Sequence, residues 1–525
     1  MPIPVLQGYF ADSLLGSSTR CPAGSRMVMR TGKSLAERAH GMYFTPVEVA
    51  TQLLSSFLDG CHLEVRQVLD LASGAGSFLV AADRILPNPL TLVGVEVDAQ
   101  VAQRCEQEVT GSLRHGTSLR IIHGDGLDQD LNTQLSRQHG DFDLVLGNPP
   151  FLSPRLRSRR YEGVNGVDWM ALRQTYSELS RATTDLSTYF VARAFDHLRV
   201  GGVCGMIVPL SFLSADGAAS VRQLVEAQGE VLRVDRLPDD TFDASVSTVC
   251  VWVRRLRKEW GSSGTDAAAP GVVSWGSWVA ESPAVDVSTR SRVKDVARTT
   301  AGFRDEFYQV ATEVFEAQVD VDTDDGACAG SGDQRWYRVL TVGHLGWGAP
   351  QWGRRSVRIA GRRFLYPAVS KQATETMKKS LRGLLLPKLV IAPQKRVVTP
   401  WLDSHGSVMP LTPLISLVAN DEREVGSELL AAAIGSPVAA AFLEHRRAGT
   451  ALSPKALKFS ARDLGEIPLP SMRDAWERAG QFWPSWMPGN LDPYLRAIRD
   501  AYQIDDEPWA GLLSWWFPRL GRPLS

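Results

Sequence analysis

The sequence predicts an α/β protein with a parallel sheet and flanking helices in its first half, followed by a separate mixed α+β domain. Between residues 40 and 255, short runs rich in β-branched residues alternate with helical patterns, which is typical of a sheet built with crossover helices. With 525 residues the chain is also too long for one ordinary core, so more than one domain is expected.

Seven segments of the first half have the composition of β-strands and are bounded by turn residues. They are Val68–Leu71, Leu92–Val97, Leu119–Ile122, Asp143–Leu146, Val203–Val208, Val231–Asp235 and Thr248–Val253. Helices are expected between several of them. One example is Leu186–Leu198, for which Asp185 is a suitable N-cap residue.

The composition is that of a globular protein, with 44% hydrophobic and 22% charged residues. The sequence has no apolar run of membrane-spanning length and no secretory signal pattern, so a cytoplasmic protein without a membrane partner is expected. The six cysteines and nine histidines show no metal-ligand spacing, and no metal site is predicted.

Charge is distributed unevenly, although the formal net charge is −1. The stretch from Arg335 to Arg396 is strongly basic, and Glu375 is its single acidic residue. An acidic stretch with the composition of a linker comes before it. Such segregation indicates that the protein presents a cationic surface despite overall neutrality.

Three successive predicted strands lead into an acidic residue. Asp70 lies in Val68–Phe78 (VLDLASGAGSF), where a G-x-G turn opens a helix and lets backbone amides approach a ligand. Glu96 ends the next strand and can accept hydrogen bonds from ribose hydroxyls, and Asp125 follows the third. Ligands of open α/β sheets bind at the carboxyl ends of the strands, so these acids predict a binding site along that edge.

The segment Phe142–Phe151 (FDLVLGNPPF) places Asn-Pro-Pro-Phe directly after a predicted strand. An aromatic amine is a poor nucleophile because its lone pair is delocalised into the ring. The Asn148 side-chain oxygen and the Pro149 carbonyl can each accept a hydrogen bond from the amine, which turns the lone pair toward an incoming methyl group. Phe151 offers a ring for stacking on a flipped base.

The order of these motifs resembles the γ class of DNA amino-methyltransferases, which accompany restriction-modification and phage-defence systems. Residues 41–50 (GMYFTPVEVA) are similar to the N-terminal cofactor motif of that family, and Thr45 and Pro46 also suit an N-cap and a first helical residue. Three later segments resemble further motifs of the family: Asp185–Phe190, Leu198–Phe212 and Phe242–Val249.

The resemblance implies a class I S-adenosylmethionine-dependent methyltransferase (Rossmann-like) domain plus a C-terminal mixed α+β target-recognition domain. It implies a site-specific, adenine-specific DNA methyltransferase (EC 2.1.1.72) that transfers a methyl group from S-adenosyl-L-methionine to N6 of a flipped adenine in double-stranded DNA. Restriction or defence-system subunits are further candidate partners. The expected location is the bacterial cytoplasm, in association with the nucleoid.

The same resemblance assigns roles to individual residues. The implied cofactor contacts are Thr45, Asp70, Gly74, Gly76, Glu96 and Asp125. The implied catalytic loop is Asn148, Pro149, Pro150 and Phe151, and Phe151 and Phe242 would stack on the target base. One position departs from the family: an apolar residue that packs on the cofactor adenine often follows the third acid, and here it is Gly126.

The C-terminal segments Pro387–Ala392 and Ala451–Pro470 are similar to the family's target-recognition domain. The DNA-binding residues are then expected in the basic stretch, with phosphate contacts that fix register. They are Arg354, Arg355, Arg358, Arg362, Arg363, Lys395 and Arg396, and Arg155, Arg157, Arg159 and Arg160 form a second basic cluster.

We therefore expect five segments along the chain. They are an N-terminal extension (1–40), the methyltransferase domain (41–260), a connecting region with flexible linkers (261–334), the target-recognition domain (335–470) and a Trp-rich helical cap (471–525). No nuclease domain is expected in the short stretch before the first cofactor motif.

Other functions remain open at this point. Asn-Pro-Pro-aromatic loops also occur in enzymes that methylate ribosomal RNA adenine or a release-factor glutamine, although these generally lack a large C-terminal domain. Methylation of cytosine N4 is the same displacement, but those enzymes more often carry Ser at the position of Asn148. A non-catalytic DNA-binding subunit of a defence complex is the alternative from another class.

Overall fold

The structure is a computed structural model. It describes residues 44–87, 89–152, 169–181, 183–239, 241–242, 246–257, 274–287, 289–302, 304–319, 335–345, 350–450, 456–483 and 491–520. These residues belong to two compact units, one of residues 1–212 and 216–273 and one of residues 213–215 and 274–525. Several predicted features lie outside the described residues: the N-terminal extension, Gly41–Tyr43, the basic cluster Arg155–Arg160, both linker stretches, residues 451–455 and Trp486.

The first unit is built on a seven-stranded sheet with the order β3-β2-β1-β4-β5-β7-β6. Its strands are β1 (Gln67–Asp70), β2 (Thr91–Glu96), β3 (Ser118–His123), β4 (Phe142–Gly147), β5 (Leu198–Pro209), β6 (Gly229–Arg236) and β7 (Thr248–Arg255). Each predicted strand overlaps one of them. The chain moves outward from β1 to β3 and then returns to β4, so the carboxyl ends of β1 and β4 flank a point where the direction of winding reverses.

The expectation of a parallel sheet is wrong for β7. This strand runs antiparallel to both of its neighbours, β5 and β6, whereas the pairs formed by β1 to β5 are parallel. A parallel pairing of β6 with β7 needs a crossover of a dozen or more residues, usually helical. Residues 237–247 contain no helix in their described part, so β7 turns back against its neighbours.

Helices cover the sheet of the first unit. They are α1 (Val47–Leu58), α2 (Ser77–Ile85), α3 (Ala99–Thr110), α4 (Gln129–His139), α5 (Trp169–Thr175), α6 (Leu186–Asp196) and α7 (Ala219–Gln228). The predicted cap of α6 is confirmed, because the Asp185 carboxylate accepts a hydrogen bond from the backbone amide of Ser187. The buried faces of α1 and α2 form one hydrophobic cluster with β1, β4, β5 and β7, in which Phe57 stacks on Trp252.

The described residues of the second unit form four small sheets and mostly short helices. Its strands are β8 (Ala297–Ala301), β9 (Phe315–Glu316), β10 (Trp336–Leu340), β11 (Val357–Ile359), β12 (Arg362–Phe364), β13 (Pro367–Ser370), β14 (Lys388–Ile391), β15 (Gln394–Lys395), β16 (Trp401–Asp403), β17 (Val408–Pro410), β18 (Ile415–Ala419) and β19 (Leu457–Lys458). The sheet orders are β17-β10-β13-β9, β16-β14-β18-β8, β11-β12 and β15-β19.

The helices of the second unit follow the same chain order. They are α8 (Val293–Val296), α9 (Arg304–Glu313), α10 (Lys371–Thr376), α11 (Lys379–Arg382), α12 (Ser427–Ile434), α13 (Pro437–Arg447), α14 (Ala461–Gly465), α15 (Arg473–Phe482), α16 (Asp492–Tyr502) and α17 (Asp506–Trp516). The tail contains α15, α16 and α17, and its buried tryptophans share one hydrophobic core with α12, α13 and the sheet around β14. The tail therefore shares the interior of this unit.

No single helix in the described ranges is long and apolar enough to cross a membrane. The bent pair α12 and α13, with 59° between the two helices, passes that test jointly and by length and composition alone. Most residues of both helices are buried within the core of the second unit.

Candidate active site

A cavity of about 490 Å³ lies at the carboxyl ends of β1 to β4 in the first unit. Seven of the residues singled out in the sequence line it: Thr45, Asp70, Gly74, Glu96, Asp125, Asn148 and Pro150. These residues come from five separate segments of the chain, and the parallel strands bring them to one edge of the sheet. The size is within the usual range of about 300–1,000 Å³ for a small-molecule site.

The Gly-rich turn after β1 forms the floor of the cavity. Gly74 has φ +52°, and a Cβ atom there would lie 3.3 Å from the ring of Phe44, so both backbone conformation and space favour glycine. Gly76 has φ +80° and is not among the residues that line the cavity. A Cβ on it would lie 2.5 Å from the Val109 side chain, so Gly76 lets α2 pack closely on α3.

The Glu96 carboxylate is held in place by the backbone. One oxygen accepts a hydrogen bond from the Gly74 amide (2.9 Å) and the other accepts one from the Asp98 amide (3.0 Å). Asp98 itself caps α3 by accepting hydrogen bonds from Gln100 and Val101. Because each carboxylate oxygen has a second lone pair, Glu96 can still accept from two further donors, such as neighbouring hydroxyls of a ribose.

Asp125 is exposed at the cavity, and its carboxylate accepts a hydrogen bond from the Leu127 amide at 2.9 Å. The next residue, Gly126, is buried, and a Cβ on it would lie 2.1 Å from the Leu71 carbonyl oxygen. No side chain fits there without backbone movement, which explains the departure from the family pattern. Apolar surface at this end of the cavity comes from Leu127 and Val97 instead.

Burial raises the pKa of Asp70 to about 7. The carboxyl group is 1% exposed, and the nearby charge of Glu96 raises the pKa further. The Ala72 amide donates a hydrogen bond to it at 3.0 Å, which opposes the shift. A buried acid of this kind favours a cationic ligand, because a positive charge nearby stabilises the ionised form.

Asn148 leaves β4 at the cavity, and its side-chain amide nitrogen donates a hydrogen bond to the Thr45 hydroxyl at 3.0 Å. Pro150 lines the cavity, whereas Pro149 is buried and is not part of the lining. Further along the loop, the Leu152 carbonyl accepts a hydrogen bond from the Leu186 amide at the start of α6. The Asn-Pro-Pro turn is therefore attached to the fold at both ends.

Phe151 and Phe242 both belong to the hydrophobic cluster of the first unit, and neither lines the cavity. Phe242 is 8% exposed, and Phe151 is partly buried against the same cluster. Their stacking role stays a prediction.

Several residues of the cavity have no recognisable signal in the sequence. Ala171, Leu172 and Thr175 of α5 form an apolar wall together with Leu186 and Phe190 of α6. Phe44 and Val97 also line the cavity although they are 43% and 63% exposed. Large apolar side chains that are exposed at the mouth of a cavity indicate a ligand-binding surface. This indication is available only when the fold is known.

The residues whose hydrogen bonds support the cavity from behind were also not predicted from the sequence. The Asn132 side-chain amide donates a hydrogen bond to the Gly126 carbonyl at 3.0 Å and contacts the His197 ring through its oxygen. Arg193 of α6 donates to the hydroxyl of Tyr176 at 2.8 Å, which ties the segment after α5 to α6. These residues hold the two walls of the cavity and carry no motif of their own.

The residues of the cavity fit S-adenosylmethionine. Asp70, Glu96 and Asp125 supply carboxylates for a molecule that carries a sulfonium cation, an amine and a ribose diol. The positive φ of Gly74 turns the backbone of the loop toward the same space, and Val97 and Leu127 offer apolar faces for an adenine ring. Within the described part of the chain, no group of three or more His, Cys, Asp or Glu side chains is arranged to hold a metal ion.

The predicted DNA-binding residues lie in the second unit and differ in their surroundings. Arg354, Arg355, Arg358, Arg363 and Arg396 are exposed, and within the described ranges no acidic side chain pairs with them. Arg358 also donates to the Gly361 carbonyl at 3.2 Å. The remaining two donate to backbone carbonyls as well. Arg362 donates to the carbonyls of Ala311 and Val314 at the end of α9, and Lys395 donates to the Leu345 carbonyl at 2.7 Å.

Comparison with known proteins gives a family match for the first unit. Residues 27–266 match the family model described as N-6 DNA Methylase. The "Defense against restriction protein B" of Escherichia phage P1 is 26% identical over 238 residues, which cover 40% of this chain and 10% of the phage protein. The "tRNA1(Val) (adenine(37)-N6)-methyltransferase" of Actinobacillus pleuropneumoniae serotype 5b (strain L20) is 25% identical over 171 residues, 33% of this chain and 62% of that enzyme.

The chain thus spans a tenth of the first relative and less than two thirds of the second. Among solved structures, the type I restriction-modification system methyltransferase subunit from Streptococcus thermophilus is similar, with 21% identity and a TM-score of 0.33. That similarity covers 41% of this chain and 44% of the subunit. The region that matches the N-6 DNA Methylase model, residues 27–266, contains the seven-stranded sheet and the Asn-Pro-Pro-Phe loop at its cavity, and it is similar to that family.

Proposed function

We propose that this protein is a site-specific DNA methyltransferase that transfers the methyl group of S-adenosylmethionine to N6 of a flipped adenine in double-stranded DNA. One observation carries the proposal: Asn148 and Pro150 of the Asn-Pro-Pro-Phe loop line the same cavity as Asp70, Glu96 and Asp125. A loop suited to hydrogen-bond an aromatic amine therefore lies beside a set of residues suited to hold the methyl donor.

The loop residues would act by hydrogen bonding. The Asn148 side-chain oxygen and the Pro149 backbone carbonyl would each accept one N–H of the target amine, which draws its lone pair out of conjugation with the ring. Two consecutive prolines limit the backbone freedom of the turn, so both acceptors keep their alignment. When bound, S-adenosylmethionine would supply an electrophilic methyl group on a sulfonium centre; transfer would break the methyl–sulfur bond, leave neutral S-adenosylhomocysteine and release one proton of the amine to water.

The walls of the cavity would hold and orient the methyl donor. Glu96 would accept hydrogen bonds from the ribose hydroxyls, and Asp125 would accept one from the exocyclic amine of the cofactor's adenine. Val97 and Leu127 would pack on the faces of that ring. Asp70 would ionise next to the cationic end of the molecule.

The basic surface of the second unit supports DNA as the substrate. The hairpin β11–β12 places Arg358 directly opposite Arg363 on its exposed face. Like charges that face each other across two strands repel, so the arrangement is favourable where an anionic partner neutralises them. Phosphates of a DNA backbone are such a partner, and contacts to them would fix the register of the enzyme on the duplex.

We place this activity in a restriction-modification or phage-defence system, because one relative is connected with restriction. The matched phage protein is named for defence against restriction. Restriction or defence subunits would then be partners, and the methylated sequence would be the one that the system protects. The similarity to a tRNA adenine-N6 methyltransferase keeps RNA as the second substrate to be tested.

The deciding experiment measures methyl transfer by purified wild-type protein and by Asn148→Ala. Labelled S-adenosylmethionine would be supplied with unmethylated genomic DNA or with total tRNA. We expect transfer to DNA by the wild type and a loss of at least about 100-fold in Asn148→Ala, as for other groups that act directly on the reacting atoms. Cofactor affinity, measured by calorimetric titration, should change by less than about threefold, because Asn148 is not assigned to cofactor binding.

Modification-sensitive long-read sequencing of the product DNA identifies the base and its sequence context. Methylated adenine within one sequence is the expected result. Methylation of tRNA alone, or of cytosine, would redirect the assignment to the corresponding amine. Cofactor affinity without transfer to any nucleic acid would favour a non-catalytic subunit.

A further inference from the structure

We infer that Thr45 is a positioning residue for the reaction: its hydroxyl orients the side-chain amide of Asn148, so that the amide oxygen is presented to the target amine. The inference rests on the proposed function of the Asn148 loop. It gives Thr45 a task different from the cofactor contact expected from the family resemblance.

The hydroxyl of Thr45 is not used to cap the helix that follows it. A Thr before Pro is a common N-cap, and the sequence predicted this role here. Helix α1 instead begins at Val47 with Pro46 in the cap position, and no side chain caps its amides. The predicted cap is wrong by one residue. The Thr45 hydroxyl thus remains available for Asn148, which lies 103 positions away in the chain and donates to it at 3.0 Å.

Thr45 is well suited to act as a fixed reference point. It is 7% exposed, so its side chain has little freedom to move. Its backbone carbonyl accepts a hydrogen bond of 2.6 Å from the Ser77 hydroxyl, in the first turn of α2 directly after the Gly-rich loop. Thr45 therefore links the helix that follows the cofactor turn to the amide of the catalytic loop.

The orientation of this amide matters chemically. An asparagine side chain has a hydrogen-bond donor on one edge and an acceptor on the other, and rotation by half a turn exchanges them. An amine that must keep its lone pair for the methyl group can donate its N–H bonds, so it needs the oxygen edge of Asn148. With the nitrogen directed at Thr45, the oxygen occupies the opposite edge of the amide.

Removal of the Thr45 hydroxyl should impair methyl transfer more than cofactor binding. In Thr45→Val the shape is kept and the hydroxyl that accepts from the Asn148 nitrogen is removed, so the amide loses a contact that favours one of its two orientations. We expect the single-turnover rate of methyl transfer to fall by about 10- to 100-fold, the range for misaligned reacting groups. Thr45→Ser retains a hydroxyl and should recover most of the rate. The cofactor dissociation constant should change by less than about threefold in both variants.

Thr51→Val is the matched control. Thr51 lies on α1, and among the described residues its hydroxyl has no hydrogen-bond partner. The substitution removes the same kind of atom from the adjoining helix without affecting Asn148. Its transfer rate should equal that of the wild type. An equal loss in Thr45→Val and Thr51→Val would mean that the effect arises from the helix, and the inference would fail.

A double-mutant cycle separates this inference from the proposed function. If Thr45 acts through Asn148, then Thr45→Val should cause no further loss once Asn148 is Ala. Full additivity of the two losses, or a wild-type rate in Thr45→Val beside an inactive Asn148→Ala, would overturn the positioning role while the proposed function stands. Wild-type protein that transfers no methyl group to any nucleic acid would instead contradict the proposed function.

Discussion

Asp70 provides a test at the scale of one residue. Its pKa of about 7 in the folded protein exceeds the value of about 3.9 expected for an unfolded chain. Between these two values the folded state binds more protons, so stability falls as pH rises from about 4 toward 7. Asp70→Asn removes the titration. As the pH rises from 5 to 8, we expect the midpoint temperature of thermal unfolding of the wild type to decrease relative to that of Asp70→Asn.

The difference between the two proteins is the relevant quantity, because other titrating groups contribute equally to both. The unfolding midpoint of the wild type should be closer to that of Asp70→Asn at pH 5, where the Asp70 carboxyl is protonated, than at pH 8. A constant difference across this range would contradict the raised pKa. Saturating S-adenosylmethionine should reduce the pH dependence, since a cationic ligand stabilises the ionised carboxylate.

Individual residues of the cavity were partly predictable. Glu96 and Asp125 could be found because parallel strands end at one edge, so acids that follow successive strands meet there. The contact between Asn148 and Thr45 joins residues 103 positions apart, and no local pattern encodes it. Val97 and Leu172 carry no chemical signal either, because an apolar residue at a cavity looks the same in a sequence as one in a core.

At the scale of elements, the turn that closes the hairpin β11–β12 contains an unusual residue. Its two connecting residues, Ala360 and Gly361, have φ values of +46° and +85°, the pattern of a type I′ turn. Asn-Gly is the favoured pair in this turn, whereas alanine is strained at positive φ. We expect Ala360→Asn to stabilise the hairpin by about 0.5–1 kcal/mol. Hydrogen exchange of the β11 and β12 amides would measure this.

Gly361→Ala is the matched opposite change. A Cβ at Gly361 would have no atom within 4 Å, so only the backbone conformation opposes a side chain there. The expected cost is about 1–2 kcal/mol. Faster hydrogen exchange in Ala360→Asn, or unchanged exchange in Gly361→Ala, would show that positive φ does not limit the stability of this turn.

The elements of the first unit were predicted well, and the direction of β7 was not. Strand positions follow from runs of β-branched residues, which depend on local sequence. Strand direction depends on the connection instead, and the described part of residues 237–247 lacks the helix that a parallel return needs. A connection too short for a crossover helix is the signal that would have predicted the antiparallel strand. The strands of the second unit left no comparable periodic pattern, since each strand in the described residues spans only two to five residues.

At the scale of the whole molecule, a nearly neutral chain concentrates positive charge on one stretch of its second unit. The net charge of −1 would not by itself suggest a nucleic-acid partner. If Arg358 and Arg363 bind phosphates, the double change Arg358→Ala/Arg363→Ala should weaken DNA binding at all sequences. The slope of log affinity against log salt should fall by about 0.9 for each arginine–phosphate interaction that the substitutions remove.

Arg473→Ala is the control for that measurement. Arg473 is also an exposed arginine of the second unit, but its charge is paired with Glu477 at 2.6 Å. Its removal should leave the salt slope unchanged. A slope that is the same in the Arg358→Ala/Arg363→Ala protein and the wild type would exclude phosphate binding by these two arginines. The target-recognition role and the predicted boundaries of the five segments stay predictions.

The absence of a side chain at Gly126 has a consequence for cofactor analogues. Its α-carbon lies against the Leu71 carbonyl so closely that the turns after β1 and β3 are in direct backbone contact. Neither turn can move toward the other, so no space can be gained between them. A donor with a larger transferable group or a substituted purine must therefore gain its space from another part of the lining, such as Leu172 and Thr175 of the short helix α5. Engineering for such donors should begin on that helix.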